Sequence, residues 1–67
     1  MSVAKVIEIN AASSTSIEEA VRLGVAKTAE TVTGIRGVWV NEIKADVGED
    51  GEISQWRVNL RITFVVN

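Results

Sequence analysis

Ile53-Ser-Gln-Trp-Arg-Val-Asn-Leu-Arg-Ile-Thr-Phe-Val-Val66 alternates apolar and polar residues over most of its length. Trp56, Val58, Leu60, Ile62, Phe64 and Val66 fall on even positions, and Gln55, Arg57, Asn59, Arg61 and Thr63 on odd ones. A period of two marks a strand with one face on a core. The stretch is longer than a usual strand, and neither Gly nor Pro interrupts it, so both its edges can pair. It is expected to be the central strand of a small sheet, with its even face on the core.

Working outward, Gly48-Glu-Asp-Gly51 is a turn, and Asp50-Gly51 is its stronger hairpin signal. A strand over Ile35–Val47 then runs antiparallel to the last one. Its apolar phase changes, with Val38 and Val40 even but Trp39, Ile43, Ala45 and Val47 odd. That places a bulge near Asn41, or burial on both faces at one end. Before it, Thr15 with Glu18 or Ser16 with Glu19 has the capping-box spacing of a helix start. Ile17, Ala20, Val21, Gly24, Val25, Thr28, Ala29 and Val32 recur every three or four residues, a single stripe facing a core. The stripe is built of small residues, so the helix can lie close to a sheet, and Gly24 suits close backbone approach. Leu23 lies off the stripe as a candidate for an interface. Gly34 is placed to end the helix in a left-handed cap. Val3–Ile9 is the first strand, and Asn10–Ser14 reads as a loop.

The order strand, helix, strand, strand gives an α+β fold: a β-α-β-β unit whose three-stranded antiparallel sheet, in the order 1-3-2, packs on one helix. Residues 1–67 are expected to form one domain. So short a chain buries only about 60 % of its unfolded surface and needs a staple. It has no Cys and no His, which excludes disulfides, structural zinc and His-based catalysis. Oligomerisation is the staple that remains.

A net charge of -2 and a pI near 4.9 argue against nucleic acid. No apolar run approaches the roughly 20 residues of a membrane span, and no apolar h-region follows Lys5. A cytoplasmic setting is the expectation. No Gly-rich phosphate loop is present, and the Ser13-Ser-Thr-Ser run reads as cap and loop, so an enzyme is not expected.

Lys5-Val-Ile-Glu-Ile, the Ser/Thr-rich cap, Glu-Ala-x-x-x-Gly-x-Ala-x-Thr across the helix, Ile35 after it, and Trp56-Arg-Val-x-Leu-x-Ile-x-Phe together resemble the dodecins. These are small β-α-β-β proteins that assemble into hollow dodecamers and bind flavins. The resemblance implies a homo-oligomer, a dodecamer, with riboflavin, FMN or FAD as ligand. The family's stacking Trp and ring-edge Gln correspond to Gly37 and Arg57 here. A Trp stands two residues beyond the first, at Trp39, and a Gln two residues before the second, at Gln55. Each is shifted by one pleat repeat and stays on the same face by strand parity. Some dodecin relatives lacking the stacking Trp have been associated with cations instead.

Two functions follow as expectations. In the first, a flat ring is held at a subunit interface by Trp39, with Lys44, Gln55 and Arg57 supplying polar contacts. In the second, the assembly is a cage that binds a hard cation or serves only to assemble, and Trp39 fills an interface. Trp56 is expected in the core. Arg57 and Arg61 either hold a ligand or pair with the carboxylates of Glu42, Asp46, Glu49, Asp50 and Glu52.

Overall fold

The computed structural model describes residues 3–66. β1 (Val3–Ser13), α1 (Ile17–Ala29), β2 (Ile35–Val47) and β3 (Ile53–Val66) follow in that order, and the sheet runs β1-β3-β2. Both outer strands are antiparallel to β3. The central strand and its partner β2 occupy the spans that the alternation predicts.

β3 sets the two faces. Its even residues lie under the helix, and Val58, Leu60 and Ile62 are fully buried there with Ala20. Ile7, Ile9, Ala11, Ile17, Val21, Val25, Ile35 and Val40 pack around them. Ser16 caps the helix by accepting the Glu19 N–H at 3.0 Å, so of the two candidates Ser16 is the cap, while the Glu19 carboxylate accepts from Arg22 rather than closing a capping box. Gly24 is where helix and sheet approach most closely. A Cβ there would stand 2.9 Å from Leu60 Cδ1 and 3.1 Å from Ala11 Cβ.

Three expectations are corrected. The first strand runs on to Ser13, and Asn10–Ser13 is not a loop. Asn10, Ala11, Ala12 and Ser13 lie opposite Asn59, Val58, Arg57 and Trp56, so β3 supplies their backbone hydrogen bonds, and the small Ala11 makes room for α1. The helix ends at Ala29, with Glu30 as its cap, so Gly34 does not terminate it. Gly34 has φ of 78° and accepts the Val65 N–H at 3.0 Å, which turns the chain into β2. Trp56 faces the helix side but is only half-buried and lies outside the core cluster. At about 20 Å the helix cannot cover a strand of about 48 Å.

That mismatch in length leaves apolar surface open. The helix leans over β1 and β3, and beside β2 runs a groove of about 690 Å³ lined by Ile17, Val21, Val25, Val40 and Ile43. Val38, Ile43 and Val47 are exposed, as is Leu23 on the helix. The radius of gyration is 13.8 Å, against about 11 Å for a compact domain of this length.

Candidate functional site

The face of the sheet turned away from α1 carries every residue singled out for ligand binding. A register shift between Val40 and Glu42 confirms the bulge expected near Asn41. The extra residue resets the side-chain phase. Val40 and Ile43 stay on the helix side, while Trp39 lies opposite Arg61 and Lys44 opposite Arg57 on the far side. Gly37 pairs with Thr63 and shares the face of Trp39, as parity predicts.

Along this face the polar residues form two groups. At one end Lys44 lies opposite Arg57 and Asp46 opposite Gln55. Arg57 Nε donates to Asp46 Oδ2 at 2.7 Å, and an Arg57 terminal nitrogen donates to Gln55 Oε1 at 3.3 Å. At the other end Trp39 is 59 % exposed, and the Arg61 guanidinium lies over its ring, 4.9 Å from the centroid. Arg61 Nε donates to Glu8 Oε1 at 3.3 Å. Val6 and Thr63 complete a shallow depression of about 420 Å³ around Glu8, Trp39 and Arg61.

The structure therefore brings Lys44, Gln55 and Arg57 together and sets Trp39 apart from them. Four residue steps along β3 take Arg57 to Arg61, a distance of about 14 Å. Asn59 bridges the interval, donating to Glu8 Oε2 at 2.6 Å and to Asn41 Oδ1 at 3.0 Å. The Asn59 amide above all, and then the charge and hydrogen bond of Arg61, hold the Glu8 carboxyl below its ordinary value. Arg57 and Arg61 both pair with carboxylates: Arg57 with the expected Asp46, Arg61 with Glu8 on the first strand. Glu8 was legible only as a charge between Ile7 and Ile9, which parity puts on the outer face. Among the described residues no three His, Cys, Asp or Glu side chains converge as a metal site. No helix of the described residues is long and apolar enough to cross a membrane.

This is a small α+β binding protein, with one helix on a long sheet whose far face carries polar ladders and an exposed indole. A family model for dodecins matches residues 3–67, and the chain belongs to the dodecin family. Over 97 % of its length and 91 % of the other chain it is 34 % identical to the calcium-chelating calcium dodecin of Mycobacterium tuberculosis, with a TM-score of 0.84. A single-residue variant of the Thermus thermophilus dodecin matches at 25 % identity and a TM-score of 0.92, covering 100 % of this chain and 98 % of that one. The dodecin of Streptomyces davaonensis has the same fold at 21 % identity and a TM-score of 0.92, covering 98 % and 96 % of the two chains. No curated protein matches the chain.

Proposed function

We propose that this dodecin is a homo-oligomer, a dodecamer, that sequesters a flavin-type flat ring at interfaces between copies. Riboflavin, FMN and FAD are the ligands in view. Trp39 is the stacking surface, and Lys44, Gln55 and Arg57 supply polar contacts. The observation that carries the reading is the exposed indole of Trp39, standing on the sheet face opposite the core. An aromatic in water on a polar sheet face gains by stacking on a flat ring. Lys44 and Arg57 lie about 14 Å along the sheet from Trp39 and Gln55 about 20 Å, so a ring touching both groups draws them from two copies. The open groove beside β2 and the extended shape support assembly, because a 67-residue chain leaves this much apolar surface bare only when a partner covers it. Binding and shielding, with no catalysis and in a cytoplasmic setting, complete the proposal.

Riboflavin fluorescence tests it. Micromolar protein should quench added riboflavin, and Trp39→Ala should abolish quenching while leaving the assembly's mass unchanged. An assembled wild-type protein that leaves riboflavin fluorescence untouched would overturn it. The 34 % identity to a calcium dodecin favours a second reading, a hard cation held by carboxylates. That cation would need oxygens from more than one copy, since the described acidic side chains do not converge within one.

A further inference from the structure

We infer that the depression bounded by Val6, Glu8, Trp39, Arg61 and Thr63 is itself the ring-binding subsite, and that Glu8 and Arg61 select rings carrying an imide-type edge. The inference rests on the reading that a flat ring stacks on Trp39. It moves the polar half of recognition to residues at neither of the positions the family resemblance points to, Gly37 and Arg57.

The depression spans all three strands, from Val6 and Glu8 on β1 across Arg61 and Thr63 on β3 to Trp39 on β2. Its volume of about 420 Å³ lies within the usual range for small-molecule sites. Arg61 is weakly held there. Its guanidinium is 4.9 Å from the indole centroid, its one bond to Glu8 is 3.3 Å long, and its side chain is half-exposed. Its terminal nitrogens make no hydrogen bond among the described residues, so their donors are uncommitted. Arg61 thus acts as a placeholder on the indole. A ring entering the depression takes its place against Trp39, and the displaced guanidinium, still tethered to Glu8, turns its free donors to the ring's edge.

Glu8 supplies the complementary half. Its carboxylate accepts from Asn59 and Arg61 and has capacity for a further donor, and Asn59 at 2.6 Å fixes its position. An acceptor between or beside guanidinium donors matches an edge that presents carbonyl, N–H and carbonyl in sequence. That is the imide edge of isoalloxazines and of uracil-like rings. An arginine alone offers donors only and would not distinguish this edge from a carboxylate or phosphate.

The test compares lumiflavin with 3-methyllumiflavin, in which a methyl group replaces the imide proton, by fluorescence titration of the assembled protein. The wild type should bind lumiflavin about five- to tenfold more tightly, the effect of leaving one carboxylate acceptor unmatched at a partly exposed site. Glu8→Ala should bring the ratio to about one. Because the ratio is taken within each protein, partial misfolding of the variant does not alter it. Equal affinity of the wild type for both rings overturns the inference while leaving stacking on Trp39 intact, as does an unchanged ratio in Glu8→Ala. Binding of neither ring overturns the stacking reading and this inference with it.

Discussion

Substituting Gly24 by Ala tests how closely the helix rides on the sheet. Replacing Gly by Ala inside a helix ordinarily adds about 1 kcal/mol of stability, because Ala loses less backbone freedom on folding. Here the new methyl would meet Leu60 Cδ1 at 2.9 Å, Ala11 Cβ at 3.1 Å and Ile9 Cδ1 at 3.3 Å together. Leu60 is fully buried, so its Cδ1 can yield only by repacking the core around it. Ala11 has no side-chain torsion to yield, so the helix itself must lift from β1. Overpacking of this kind costs about 1–3 kcal/mol, and the simultaneous contacts place it in the upper half of that range. The net expectation is a loss of about 1–2 kcal/mol, read from urea unfolding at one fixed protein concentration because assembly links stability to concentration. Adding Ala11→Gly removes one of the three contacts, and a double-mutant cycle should show a favourable coupling of about 0.5 kcal/mol or more. A Gly24→Ala variant stabilised by the full propensity gain would mean that helix and sheet are not in contact at this point.

Gly34→Ala places a side chain at a φ of 78°, with its Cβ 3.0 Å from the Val65 carbonyl oxygen, and should destabilise by about 1–2 kcal/mol in the same urea assay. Ile43 is 52 % exposed beside the open groove, so Ile43→Lys should shift sedimentation toward smaller species while far-ultraviolet circular dichroism stays unchanged. An unchanged sedimentation profile would remove this groove from the assembly interface. The Glu8 carboxyl titrates below its ordinary 4.5, so the folded state favours the charged form. Its contribution is complete above pH 4.5 and disappears as pH falls through the lowered folded value. Thermal unfolding followed from pH 6 downward should therefore show a shallower acid loss in Glu8→Gln than in the wild type.

The fold was legible wherever a single periodicity held. The alternation of β3 and the mixed phase of β2 located both strands, and the three- and four-residue stripe located the helix. The end of β1 was not legible, because Asn10-Ala-Ala-Ser has loop composition. Its extended conformation comes from pairing with Asn59, Val58, Arg57 and Trp56 far along the chain, and its small side chains answer to the helix above Ala11. Gly34 misled for a related reason. A glycine after a helical stripe resembles a cap, yet the left-handed conformation serves the hydrogen bond from Val65. In the candidate site, parity put Trp39 on the face of Gly37 and Gln55 on the face of Arg57 as predicted, and the bulge between Val40 and Glu42 brought the even-numbered Lys44 onto the face of the odd-numbered Trp39. Parity carries no information on separation along the strand, and the register places Trp39 beside Arg61 rather than Arg57. Glu8 enters the site through strand pairing between residues more than fifty positions apart, which no local pattern encodes.

Native mass spectrometry of the protein mixed with riboflavin reads assembly and ligand together. Multi-chain particles that carry riboflavin in the wild type and lose it in Trp39→Ala are the expected result. A 7.2 kDa monomer as the main species, or assembled particles that stay free of riboflavin at saturating concentration, would contradict the account.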